Sequence, residues 1–244
     1  MVDYRTKLDI DFDLSKKQMD ILQRNTDTIV RAVPGSGKTT ILTLKIKELL
    51  IDNPNIRQIC CISYTNVNVE DLENSCTRKV DSELLHKVEF LTFHKFCLQY
   101  ILHPFSYLYR SNSGLRPYKK IFNYREHGLL LTKFLEESGA DVLDIKEITD
   151  SQSIYYNIKH KAGHWIPISN KLKSNTIIKY WNFLNVNKLI DLNLINLLSL
   201  FIIQENKFVK RALNKTIDWM FIDEFQDVND IQCEIIEELL TLNG

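Results

Sequence analysis

RAVPGSGKTT, residues 31–40, is the stretch on which the fold turns. Ahead of it runs a short apolar, β-branched segment, Thr28–Ala32, and behind it comes helical periodicity over Thr39–Leu50. Glycines let backbone N–H groups converge on an anion, and the helix N-terminus behind them adds its dipole. A lysine then neutralises phosphate charge, and a hydroxyl can face a magnesium ion. Gly35, Ser36, Gly37, Lys38 and Thr39 supply these groups in order, with Pro34 and Thr40 flanking them. The usual spacing GxxxxGK[ST] would place a glycine at position 32, which here is Ala32.

Three further apolar runs, Ile59–Ser63, Glu89–Thr92 and Trp219–Ile222, read as buried strands, since each feeds a polar turn and then a helical pattern. Helices are expected over Val67–Val80, His94–Leu102 and Asn229–Leu240. Repeated strand-loop-helix order predicts an α/β fold with a parallel sheet and helices on both faces. From His103 to Lys188 the pattern changes to amphipathic pieces, Lys119–Ser138 and Thr176–Val186, between loop-like segments such as AGHWIPISN. This middle reads as a mostly helical insertion.

The second chemical signal is MFIDEFQDVNDIQ, residues 220–232. A strand ending in adjacent carboxylates can hold a magnesium-bound water through Asp223 while Glu224 activates the attacking water. Composition sets the surroundings. The chain has 31 basic and 31 acidic residues, so a globally basic nucleic-acid binder is excluded. Between Ser151 and Ile190, however, six lysines (159, 161, 171, 173, 179 and 188) occur with no acid. In residues 104–125, Arg110, Arg116, Lys119, Lys120 and Arg125 alternate with aromatics, a strip suited to a nucleic-acid backbone or to plain solvation. Five cysteines without a CxxC pair indicate neither a disulfide framework nor a zinc ribbon, even with His160 and His164 at metal-like spacing. No run approaches a membrane span, and the acidic N-terminus does not read as a signal peptide, so a cytoplasmic location is expected.

Together, AVPGSGKTT and DEFQD followed by Asn229 and Gln232 resemble the ATP-binding half of a UvrD/Rep-type superfamily 1 DNA helicase. LSKKQMDIL (14–22) resembles that family's Q motif, ISYTN (62–66) its TFTN segment, FLTFHKF (90–96) its TFHSF segment, and LIDLNLINLL (189–198) the helix before the DExQD strand. The resemblance implies ATP and Mg2+ as cofactors. It implies that Gln18 reads the adenine edge, Lys38 holds the β/γ-phosphates, Thr39 and Asp223 hold the metal, Glu224 serves the water, and Gln226 couples nucleotide state to DNA. It assigns Tyr64 to base stacking, Thr65, Asn66 and Thr92 to phosphates, and Phe93 and His94 to the same single-stranded DNA track. Thr40 stands where many members carry an arginine that packs on the base.

The implied organisation is a RecA-like domain in two segments, 1–102 and 189–244, split by an insertion over 103–188. The family's later motifs and second RecA-like domain are absent from residues 1–244, and the missing C-terminal helicase domain or a partner subunit is expected as a partner. The implied activity is ATP-driven 3′-to-5′ translocation on single-stranded DNA. Two alternatives remain open: a non-catalytic nucleotide-gated DNA-binding or interaction module, and the helicase subunit of a RecB-like or defence nuclease-helicase.

Overall fold

The computed structural model describes residues 4–31, 33, 35–108, 120–121, 124–139, 158–161, 164–167, 179–180, 183–184, 186–190 and 192–240. Two compact units emerge, one from residues 1–93 with 213–228, the other from 94–212 with 229–244.

The first unit begins with helices α1 (Tyr4–Leu8) and α2 (Lys16–Leu22), then the phosphate-loop stretch and the long helix α3 (Lys38–Asp52). Strand β1 (Ile59–Ser63), helices α4 (Asn66–Thr77) and α5 (Ser82–Leu85) and strand β2 (Val88–Thr92) follow. The chain returns to this unit at β7 (Trp219–Ile222). The three strands form a parallel sheet in the order β2-β1-β7, with Ile59 opposite both Val88 and Trp219. Such strands are buried on both faces and so carry continuous apolar sequence. All five residues of β1 are indeed buried, including Cys60 and Cys61. Ile46, Leu49 and Leu50 of α3 pack with Ile59 and Cys61 of β1 and Leu72 and Cys76 of α4. A smaller cluster joins Tyr4, Leu8 and Leu22 to Ile41 and Leu44 of α3. Burial pushes the Cys76 thiol up to about 11, which suits a packing residue rather than a nucleophile.

One expected strand is not formed. Residues 28–31 make no ladder, Ala32 lies outside the described residues, and Ile29 and Val33 are 74% and 72% exposed. β1 is the central strand, paired on both sides by β2 and β7, and among the described residues the segment 28–31 joins neither outer edge of the sheet. Thr28 instead closes a local turn through its hydroxyl on the Thr26 carbonyl.

Helix α6 (Phe93–Phe96) starts on the last residue of the first unit's opening segment and runs on, in the second unit, into a wider π-wound stretch, Cys97–Leu102, and then α7 (His103–Phe105). The two-residue strands β3 (Lys120–Ile121) and β6 (Leu189–Ile190) pair in parallel, and β4 (Ile158–Lys161) and β5 (His164–Pro167) form an antiparallel pair. Helix α8 (Tyr124–Ser138) lies between β3 and β4 in sequence. Helices α9 (Leu192–Glu205), α10 (Lys207–Thr216) and α11 (Asp230–Leu240) follow, with α10 ending in the first unit. Two readings need correction. The expected helix over Lys119–Ser138 starts only at Tyr124, because Lys120 and Ile121 pair with Leu189 and Ile190. The HWIP part of AGHWIPISN is a strand, not a loop, because it pairs with Ile158–Lys161.

The returning chain is fastened to the sheet by Arg57 and Asp218. The Asp218 carboxylate accepts from the Arg57 N–H at 2.6 Å and from its Nε at 3.0 Å, and the guanidinium also donates to the Lys215 carbonyl. Burial alone would raise the Asp218 carboxyl, but the hydrogen bonds from Arg57 and Gln58 outweigh it and hold it below its ordinary value. A depressed carboxylate stabilises the fold above its unfolded pKa of about 3.9, and that contribution disappears as pH falls through the folded value. Arg57 is about half exposed, so solvent screens the pair and keeps its contribution modest. Asp218→Ala is therefore expected to lower the neutral-pH melting temperature by roughly 2–4 °C. The gap to wild type should narrow as pH falls through the lowered folded value of Asp218; a gap of equal size at neutral pH and in acid would contradict this role.

Candidate nucleotide site

The phosphate loop reaches its shape through two left-handed glycines, Gly35 at φ 77° and Gly37 at φ 83°. A turn from the Ser36 N–H to the Val33 carbonyl, at 3.2 Å, precedes α3, whose first bond runs from the Ile41 N–H to the Gly37 carbonyl. Lys38 and Thr39 occupy the first turn of α3, which holds no acidic residue, so the positive end of this 15-residue helix keeps no built-in anion. A Cβ added at Gly35 would meet nothing, leaving open room beside the loop backbone. Two left-handed glycines, a free helix N-terminus and a lysine fit a phosphate group. Pro34, expected to flank the nucleotide, lies outside the described residues.

Strand β7 brings the carboxylates to the same place. The Asp223 N–H donates to the Ile62 carbonyl at 2.8 Å, continuing the ladder one residue beyond the strand. Chain direction then breaks at Glu224, a non-glycine residue at φ 50°, ψ 46°. That break leaves Glu224 Oε2 3.6 Å from Lys38 Nζ and accepting a hydrogen bond from Gln226 Nε2. Three residues singled out in the sequence thus converge. Asp223 is half-buried, and burial, helped by the Glu224 charge, pushes its carboxyl above the ordinary value against the pull of the Glu224 N–H and Lys38.

Gln18 joins them from α2. Its Oε1 accepts from the Ser15 N–H at 2.9 Å and its own N–H donates to Ser15 Oγ at 3.3 Å, a reciprocal capping box. Its Nε2 lies 3.7 Å from where a Cβ on Gly37 would stand, with Thr40 Cβ 4.0 Å from the same point. Asn229 and Gln232 make a second such box, the Asn229 N–H donating to Gln232 Oε1 at 3.1 Å and the Gln232 N–H to Asn229 Oδ1 at 3.0 Å. Both follow the [ST/DN]-x-x-Q spacing, a signal already present in the sequence.

Of the residues assigned to DNA, Tyr64 is 49% exposed at the end of β1, and Thr65 and Asn66 are exposed at the start of α4. Thr65 caps that helix, its Oγ1 accepting from the Asn68 N–H at 3.1 Å, which leaves the hydroxyl proton for another acceptor. Thr92 and Phe93 are buried, Phe93 to 3% exposure. His94 belongs to the second unit, where Asn196 Nδ2 lies 3.4 Å from its Nε2 and burial lowers its pKa. Most of the basic and aromatic strip 104–125 lies outside the described residues.

Left-handed geometry costs an L-residue roughly 1–2 kcal/mol, and Glu224 carries it beside another carboxylate. Glu224→Gly is expected to raise stability by about 0.5–1 kcal/mol, the relief of that strain less glycine's extra chain entropy. A denaturant titration checks it, and a lower midpoint would show that the strain is absent.

The family described as UvrD/REP helicase N-terminal domain matches residues 14–244. The Probable DNA helicase II homolog of Mycoplasma capricolum subsp. capricolum is 24% identical over 246 residues, 95% of this chain and 33% of that protein. ATP-dependent DNA helicase Rep of Buchnera aphidicola subsp. Schizaphis graminum is 24% identical over 231 residues, 90% of this chain and 34% of that protein. ATP-dependent DNA helicase Rep of Escherichia coli (strain K12) is 22% identical over 218 residues, 87% of this chain and 32% of that protein. The chain thus spans about a third of the length of these relatives. With the phosphate loop, the DEFQD turn and a family match that runs through both, the chain belongs to the UvrD/Rep helicase family, as its N-terminal domain.

Proposed function

We propose that this chain is the nucleotide-binding part of an ATP-dependent DNA helicase that translocates 3′ to 5′ on single-stranded DNA in the cytoplasm. The observation that carries the reading is the meeting of Lys38 and Glu224, brought to 3.6 Å from distant parts of the sequence at the mouth of a glycine loop. A lysine and a carboxylate at that distance can divide two tasks: charge opposite phosphate oxygens, and acceptance of a proton from an attacking water.

In this reading the loop amides of Gly35 to Thr39 and the Lys38 ammonium bind the β/γ-phosphates. Thr39 and Asp223 hold Mg2+, which when bound neutralises charge on the phosphate oxygens. Glu224 takes the proton from water, and the Gln226 amide, already hydrogen-bonded to it, orients its carboxylate. Gln226 lies next to the site in the DEFQD turn, which suits the coupling role that the resemblance gives it. Gln18 and Thr40 border the loop on the base side. Tyr64, Thr65 and Asn66 offer an exposed ring, a hydroxyl and an amide to single-stranded DNA, and the resemblance adds Thr92, Phe93 and His94 to the same track, although Thr92 and Phe93 are buried. The 3′-to-5′ direction and the single-stranded substrate rest on the resemblance to UvrD and Rep. Among the described residues no helix is long and apolar enough to cross a membrane.

Titration with a fluorescent ATP analogue and magnesium is expected to saturate with wild type and Glu224→Gln alike, and to weaken at least tenfold in Lys38→Ala. Glu224→Gln should abolish phosphate release while leaving binding intact, because it removes the base and keeps its size. Equal affinity for wild type and Lys38→Ala would remove the phosphate-loop assignment. Single-stranded DNA binding should weaken steeply with salt and fall further in Tyr64→Ala, since phosphate contacts release counterions and the ring adds stacking; a flat salt response would count against the DNA assignment.

A further inference from the structure

Helix α3 carries a second lysine that the nucleotide chemistry does not use. Lys45 lies about two turns beyond Lys38 and is buried, its side chain 7% exposed. Its Nζ donates to the Leu22 carbonyl, to Asn25 Oδ1 at 2.9 Å and to Glu48 Oε2 at 2.9 Å, and stands 6.0 Å from the centre of the Trp219 ring. An ammonium has three N–H bonds, and all three are matched. A buried ammonium that lost these partners would be strongly destabilising, so the lysine and its acceptors are mutually fixed.

The acceptors come from different parts of the unit. Leu22 ends α2, Asn25 lies in the stretch between α2 and the phosphate loop, Glu48 shares α3, and Trp219 opens β7. Helix α2 has only seven residues and no basic residue in its last turn. So short a helix does not hold itself together, and its terminal carbonyls need a partner. The Ser15–Gln18 box secures one end, and Lys45 caps the other from a neighbouring helix.

We propose that Lys45 is a positioning residue for base recognition, clamping the C-terminal end of α2 to α3 so that Gln18 stays at the phosphate loop. The proposal rests on Gln18 as a contact to the adenine edge. Without the clamp α2 pivots about its capping box, Gln18 leaves Gly37, and discrimination between bases is lost while the phosphate grip of Lys38 remains. Glu48 keeps a second partner in Lys7, at 3.3 Å, so removing the Lys45 charge does not leave that carboxylate bare.

The test uses the 244-residue chain as wild type, Lys45→Met, Lys45→Arg, Asn25→Ala and Gln18→Ala. Calorimetric titrations give affinities for ATP, GTP and tripolyphosphate, each with magnesium, and a melting temperature is recorded for every variant. The expected result is an ATP-over-GTP ratio that falls about tenfold in Lys45→Met, as it does in Gln18→Ala, the worth of one lost hydrogen bond. Tripolyphosphate affinity should stay within about twofold, with the ratio largely retained in Lys45→Arg and partly lost in Asn25→Ala. A wild-type ratio in Lys45→Met despite a lower melting temperature would overturn the proposal, as would a parallel fall in all three affinities. Should Lys45→Met not fold, Asn25→Ala decides: a lowered ratio supports the clamp and an unchanged one removes it. A wild type that binds ATP and GTP alike, with Gln18→Ala indifferent, would sink the adenine reading and this proposal together. A wild type that prefers ATP while the Lys45 and Asn25 variants keep that preference would sink the proposal alone.

Discussion

The hydrogen bond from the Asp223 N–H to the Ile62 carbonyl, at 2.8 Å, is the last rung between the returning strand and the centre of the sheet. Everything at the candidate site depends on its register. With Ile62 opposite Ile222, the two carboxylates emerge at the end of the sheet where α3 begins, and Glu224 comes within 3.6 Å of Lys38. A slip of one residue would send the strand's side chains each to the other face, displace Asp223 and Glu224 along the sheet and separate the base from the lysine. The clasp between Arg57 and Asp218 at the other end of β7 resists that slip, since it ties the residue before the strand to the residues before β1.

Electrostatics at the site are divided between neighbouring groups. Asp223 and Glu224 repel each other, and burial adds to the cost of ionising Asp223, so an adjacent cation suits the pair when phosphate is absent. Lys38 supplies one. The same lysine is the group that a phosphate chain would draw away, which links the carboxylate pair to what occupies the loop. The left-handed backbone at Glu224 is the structural counterpart of this arrangement, since a relaxed extended residue there would continue the strand instead of folding back.

Local chemistry is readable in the sequence, and long-range pairing is not. The glycine loop and the DEFQD turn are short motifs whose residue types already state their backbone needs, and the apolar runs at 59–63, 88–92 and 219–222 state that they are strands, although only 59–63 is buried throughout while 219–222 is partly exposed along its whole length. Residues 28–31 are similarly apolar and β-branched but form no strand, because whether a segment pairs is decided by residues outside it. Leu189 and Ile190 look like the start of a helix until Lys120 and Ile121 supply their partner. Nothing in the sequence marks Lys45, since its acceptors at 22 and 25 become neighbours only after α2 docks on α3. The capping boxes at Ser15 and Asn229 are legible by spacing, although the same residues also invite a chemical reading.

The account stands on Lys38, the loop amides and the β7 carboxylates forming one nucleotide site in the first unit. Amide hydrogen exchange with and without magnesium and ATP tests this most directly, because it reports on backbone groups residue by residue. The account predicts slowed exchange at Gly35, Ser36, Gly37, Lys38 and Thr39, with a smaller slowing around Glu224 to Asp227. Unchanged exchange across residues 35–39, with protection elsewhere in the chain, would contradict it.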